Sequence, residues 1–315
     1  MDQISNSVKK NPKHLLELTK KEKQDFLESF DIVLSDCDGV LWAFSSPIAN
    51  SGEAINLLKT AGKQFKFVSN NDGMRTDRDY IDKLENMGVN NIKEDDFILP
   101  YKAFARFMKT QHPGKTCYCT GSEYFMNSLK STGVKVVDVT PHFNIKPEEL
   151  RYLTPIKEAT IFVVDIHINM TFAEFALIQQ YLLKEDCDVY INAVDDRFPI
   201  TDDFSVLGVG LFIEAITKLC NKDMKLFGKP SKFLADYMVE EFQIKNRKRA
   251  LFVGDSLDSD IAYACAHGFR SLFVLSGTYT IEDMMQMPIE KQPDYYANSL
   301  GDFVEFFRSL KDESQ

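Results

Sequence analysis

The chain has no apolar run of transmembrane length, no signal-peptide character in its opening Met1-Asp2-Gln3-Ile4-Ser5, and no internal repeat or low-complexity tract. These absences argue against a bilayer-spanning or exported protein and lead us to expect a cytoplasmic one. Cysteine is sparse. Cys37, Cys117, Cys119, Cys187, Cys220 and Cys265 show neither the Cys-x-x-Cys spacing of a zinc site nor the density of a disulfide scaffold. Several lie in apolar segments, where a thiol acts as a small hydrophobe, and a reduced compartment is the simpler reading. Positive charge is also in deficit, with 37 basic against 47 acidic residues and a net charge of -10. That balance speaks against non-specific binding to nucleic acid or an anionic membrane. Any anionic substrate must be drawn in by local cations.

What is present is the composition of an ordinary globular protein, 44% hydrophobic and 27% charged, in 315 residues that suffice for two domains. Strand and helix signals alternate along it, which predicts a parallel sheet with helices on both faces. An amphipathic stretch carrying Leu15, Leu16, Leu18, Phe26 and Phe30 reads as one helical face ahead of the first strand. The pair of breakers in Gln111-His112-Pro113-Gly114-Lys115 reads as a hinge. A second series of strands follows at 116–120, 135–139, 161–165 and 189–192, with helices near 123–131 and 172–183. We therefore expect a core in two parts, residues 1–111 and 222–315, interrupted by an inserted domain at 112–221.

The informative residues are Asp36-Cys37-Asp38-Gly39-Val40-Leu41, which follow the apolar run Ile32-Val33-Leu34. Two carboxylates thus sit two residues apart where a buried strand ends, the end at which open α/β sheets bind ligands. Gathering carboxylates there is costly unless a cation or a proton offsets their repulsion. Alone, the segment is as readily a solvated turn, since Asp and Gly are common turn residues. Three further segments change the odds. Phe67-Val68-Ser69-Asn70-Asn71 ends a strand in a hydroxyl and two amides, and Leu226-Phe227-Gly228-Lys229-Pro230-Ser231 sets a lysine after an apolar run. Leu251-Phe252-Val253-Gly254-Asp255-Ser256-Leu257-Asp258-Ser259-Asp260 is a strand followed by an acidic loop.

In this order the four segments resemble the haloacid dehalogenase superfamily of phosphatases. More narrowly, they are similar to its p-nitrophenylphosphatase branch, which includes pyridoxal phosphate and phosphoglycolate phosphatases. The resemblance runs from about residue 31 to 310 and is weakest over 112–221. It implies a Rossmann-like, doubly wound α/β core with an inserted large α/β cap. It also implies a magnesium-dependent phosphomonoester hydrolase working through an aspartyl-phosphate on a small phosphorylated metabolite. By the match, Asp36 is the nucleophile and Asp38 the acid and then base. Lys229 balances the transferring phosphoryl charge, and Ser69 bonds a phosphoryl oxygen. Asn70 and Asn71 would assist in substrate binding. Mg2+ would take the Asp36 and Asp255 carboxylates and the backbone carbonyl of Asp38, with Asp260 orienting a metal-bound water. Relatives often form homodimers through the cap.

The cap departs from the family pattern. Asp165-Ile166-His167 stands where Gly, an aromatic and Asp are usual, and Ala193-Val194-Asp195-Asp196 where Thr-Asn-x-Asp is usual. We expect His167 and Arg197 to face the leaving group and recognise it. Two other readings stay open: a catalytically weak binding or regulatory protein on this scaffold, and a protein phosphatase.

Overall fold

The computed structural model describes residues 11–43, 46–70, 76–141, 145–165, 167, 169–192, 197–201, 204–208 and 210–312, of which 197–201, 204–205 and 312 are described by their backbone alone. Two parallel sheets organise the chain. The first has seven strands in the order Lys13–His14, Tyr295–Ala297, Arg270–Val274, Ala250–Gly254, Ile32–Ser35, Gln64–Val68 and Phe97–Ile98. Every strand pairing in it is parallel. Its central strands, Ile32–Ser35 and Ala250–Gly254, are buried along their whole length, as a sheet covered on both faces requires. The chain steps outward from Ile32–Ser35 to one edge, then returns to place Ala250–Gly254 on the other side of that same strand. That reversal opens a crevice between the carboxyl ends of the two strands.

The second sheet is formed by residues between those two excursions. Its five parallel strands run Lys225–Leu226, Asp188–Ile191, Ile161–Val164, Thr116–Thr120 and Lys135–Asp138. The predicted helices are present as Glu123–Ser131 and Phe172–Leu183. Alternation along a strand divides the residues between two faces. Ile161, Val163 and Tyr190 join the hydrophobic core of the first sheet, while Phe162, Val164 and Val189 build a separate outer cluster. Aromatic rings fill the seam between the sheets: Phe104 lies 4.9 Å from Phe227 and Phe107 4.8 Å from Tyr190.

The amino-terminal stretch differs from the single helical face expected. Leu15 belongs to a short turn of 3-10 helix, Leu15–Glu17, and Leu18 follows that turn; the α-helix begins only at Lys20–Glu28. Thr19 decides this, because its hydroxyl caps the Glu22 amide while the Glu22 carboxylate bonds back to the Thr19 amide. The leucines are buried nonetheless, reaching the core from an extended entry. Among the described residues, no helix is long and apolar enough to cross a membrane.

Candidate active site

The crevice at the strand reversal holds the acidic residues. Asp36 follows the Ile32–Ser35 strand, and its amide donates to Val253 O at 2.9 Å, which locks it beside the neighbouring central strand. The chain then turns sharply, with Leu41 N donating to Cys37 O at 2.9 Å and Gly39 N to Trp42 O at 2.8 Å. Gly39 has φ +79°, and a Cβ there would lie 2.1 Å from Asp255 Oδ2. Only glycine serves both conditions. Gly277 approaches the same oxygen, and a Cβ on it would lie 2.0 Å away. Asp255 is thereby packed directly against the backbone at both glycines.

Lys229 is the counter-charge. Its Nζ lies 2.8 Å from Asp36 Oδ1 and 2.7 Å from Asp260 Oδ1, and only 2% of its side chain is exposed. Burial by itself would lower the lysine's pKa, but the flanking Asp260 and Asp36 carboxylates outweigh it and hold the ammonium charged. The acids respond in the opposite sense. Burial, reinforced by the charges of Asp260 and Asp38 and opposed by Lys229, pushes Asp36 up to about 8. Burial, with Asp260 and Asp36, carries Asp255 well above the usual carboxylate range. With all of these acids ionised, one ammonium would not offset their charge, and the raised pKa values express that shortfall.

The donor set fits a divalent cation. Carboxylate oxygens of Asp36, Asp255 and Asp260 all lie within 4.8 Å of one another. A buried group of hard oxygen donors, short of counter-charge when ionised, suits magnesium and similar ions rather than a soft thiophilic metal. Asp260 is fixed within this group, accepting from Lys229 Nζ through Oδ1 and from the Ser256 amide through Oδ2 at 3.2 Å. Asp258 stands apart, exposed and bonded by the Tyr279 hydroxyl at 2.7 Å.

Ser69 and Asn70 are brought to the same crevice, both buried, at the end of Gln64–Val68. Both ends of the Asn70 carboxamide are used by the Lys229 backbone, Oδ1 accepting from its amide at 2.8 Å and Nδ2 donating to its carbonyl at 3.1 Å. Asn71 lies outside the described residues, as do Asp195 and Asp196. Arg197 opens the strand Arg197–Thr201, but its side chain lies outside the description. His167 lies just past the Ile161–Val164 strand, and its Nε2 is 3.0 Å from the buried Glu174 Oε1. Glu174 also accepts from the Thr171 amide and hydroxyl.

Three contributors escaped the sequence reading. Trp42 is fully buried and donates its indole N–H to Asp38 Oδ1 at 2.9 Å. Its place four residues after Asp38 in the turn was a legible hint. Glu174 was hidden because its helix position reads as an ordinary capping-box acid. Asn192, which donates to Asn70 O at 3.0 Å, left no local signal, since 122 residues separate the partners.

Two family models match the chain on either side of its middle: "Haloacid dehalogenase-like hydrolase" over residues 33–135 and a second HAD-hydrolase-like model over 226–303. A 4-nitrophenylphosphatase of Schizosaccharomyces pombe is 27% identical over 291 residues, spanning 90% of this chain and 97% of that one. A human glycerol-3-phosphate phosphatase is 26% identical over 303 residues, spanning 91% and 94%. Among solved structures, p-nitrophenyl phosphatase from Archaeoglobus fulgidus superposes with a TM-score of 0.70 at 28% identity, covering 88% of this chain and 99% of its own. The two models frame the acidic crevice and the likenesses run nearly end to end. The chain accordingly belongs to the haloacid dehalogenase-like hydrolases, and within them it is similar to p-nitrophenylphosphatases.

Proposed function

We propose that this protein hydrolyses phosphate monoesters of small metabolites by way of an aspartyl-phosphate on Asp36, with Mg2+ as its cofactor. The observation that carries the reading is the Asp36 carboxylate held 2.8 Å from the Lys229 ammonium inside a buried acidic group at the strand reversal. Phosphoryl transfer needs an in-line nucleophile and cations around the equatorial oxygens, and little else. Asp36 attacks phosphorus while the ester P–O bond breaks, and Asp38 gives its proton to the departing alkoxide. Asp38 then takes a proton from water as that water attacks the acyl phosphate, releasing inorganic phosphate and restoring Asp36. Lys229 offsets phosphoryl charge throughout, and the Ser69 hydroxyl meets a phosphoryl oxygen. Trp42 steadies the Asp38 carboxyl through its indole N–H. Asp36, Asp255 and the Asp38 carbonyl would hold Mg2+, with Asp260 behind them; the ion supplies charge neutralisation at the phosphoryl oxygens.

The substrates named for the two relatives, a nitrophenyl phosphate and a glycerol phosphate, support a small monoester as the class. We read the second sheet, apart from its edge strand Lys225–Leu226, as the body of a cap inserted within 112–221, with His167 and Arg197 serving recognition. Purified protein screened against phosphorylated metabolites tests this directly. Chelation should abolish phosphate release, magnesium should restore it, and calcium, which is larger and takes more ligands, should support it poorly. Asp36→Asn should lower kcat at least ~10³-fold, because it removes the attacking carboxylate together with an oxygen that would hold the metal. Full turnover in chelator, or an active Asp36→Asn protein free of contaminating phosphatase, would remove the mechanism.

A further inference from the structure

The second sheet reaches the catalytic crevice at Asn192, just past one of its strands. Asn192, 3% exposed, follows the Asp188–Ile191 strand, and its Nδ2 donates to Asn70 O at 3.0 Å. Asn70 is the residue whose side chain clasps the backbone of Lys229. Both carboxamides are oriented by chemistry: a main-chain amide requires the Asn70 oxygen, and main-chain carbonyls require the two NH₂ groups. The approach to Lys229 is set by the same strand. Lys225–Leu226 pairs with Asp188–Ile191, and Phe227 N donates to Ile191 O at 3.1 Å. Gly228 then passes so near that a Cβ on it would lie 2.0 Å from Asn192 O. A continuous path of main-chain and amide bonds thus joins the carboxyl edge of the second sheet to the ammonium between Asp36 and Asp260.

We propose that Asn192 is a positioning residue for phosphoryl transfer: it ties the second sheet to Asn70 and so holds Lys229 in register with Asp36. The inference rests on the role given to Lys229 above. Removing the Asn192 donor leaves the buried Asn70 carbonyl without that bond, and the loop moves to find water. A shift of even an ångström at a charge-stabilising group is costly to the chemical step. Because Lys229 acts on the phosphoryl group common to all substrates, the loss is independent of the leaving group. A residue of the cap that served recognition alone would behave otherwise, changing KM for a particular ester.

The test compares wild type, Asn192→Leu, Asn70→Ala and the double variant on p-nitrophenyl phosphate and glycerol 3-phosphate. Asn192→Leu should lower kcat by ~10–100-fold on both esters with KM within about threefold. The double variant should be no worse than the more damaged single one, because both cut the same path. If Asn192→Leu does not fold, Asn192→Asp keeps the volume, removes the donor and carries the same expectation. A kcat near wild type, losses that multiply in the double variant, or a KM effect confined to glycerol 3-phosphate would each overturn the positioning role. Lys229→Met separates this from the underlying mechanism. Its inactivity together with a normal Asn192→Leu protein sinks only the role of Asn192, whereas an active Lys229→Met protein sinks the assignment of Lys229 itself.

Discussion

Cys37 shows how a residue's neighbours govern its chemistry. It sits between Asp36 and Asp38 with no exposed surface, and burial first, then the two carboxylate charges, push its thiol far above the ordinary range. A protonated, enclosed thiol is a poor target for peroxide. Equal loss of activity in wild type and Cys37→Ser under peroxide is therefore expected; protection by the serine would instead make Cys37 a redox switch. Glu174 is the converse. Burial alone would raise its pKa, but hydrogen bonds from His167 and from the Thr171 amide and hydroxyl outweigh burial and hold it below the usual 4.5. A depressed carboxylate contributes stability above its unfolded pKa, and that contribution fades as pH falls through the folded value. Thermal melts should show wild type losing stability below about pH 4.5 more steeply than Glu174→Gln. At neutral pH that variant should be less stable by about 1–3 kcal/mol. Parallel acid limbs would mean the pair adds nothing.

At the scale of elements, the second sheet depends on a small outer cluster of its own. Phe162 on the Ile161–Val164 strand stacks on Tyr181 of the Phe172–Leu183 helix, with ring centroids 4.0 Å apart and planes within 5°. Both side chains are fully buried, so truncation leaves a cavity that the helix cannot readily fill. Phe162→Ala should destabilise by about 3–5 kcal/mol in denaturant titration. The cluster is separate from the main core, so the loss should fall on the second sheet and spare the first. A cost below about 1 kcal/mol would show that the helix collapses onto the strand. The seam between the sheets has a different logic. Phe104, Phe107, Tyr190 and Phe227 come from both sides of it, so its integrity bears on the path from Asn192 to Lys229.

The whole molecule carries a net charge of -10 and is proposed to take an anionic substrate. Its long-range field opposes encounter, while Lys229 and a bound cation attract only at short range. Screening should therefore help. Raising ionic strength toward ~0.15 M with an inert salt should increase kcat/KM for a phosphate monoester, since the Debye length contracts to about 8 Å. A decline over the same range would show that a local positive field at the crevice mouth, not the overall charge, governs capture.

How much could be read beforehand depended on the distance over which each cause acts. The alternation of elements and the strand-ending carboxylates Asp36 and Asp38 were legible because burial and turn chemistry are local. So were the Ser69, Lys229 and Asp255 segments, and the helices Glu123–Ser131 and Phe172–Leu183. The amino-terminal stretch was misread as a single helix because apolar spacing was weighed ahead of the Thr19 capping box, which was equally local. Sequence alone could not tell that Asp255 would be packed against Gly39 and Gly277, or that Asn70 would spend its carboxamide on Lys229. Nor could it join Asn192 to the site across 122 residues. Those facts belong to the tertiary structure, because hydrogen bonds and electrostatic shifts arise only between groups that packing has made neighbours. Which chemical groups stand at the strand ends follows from neighbouring residues along the chain; which of them touch follows only from packing.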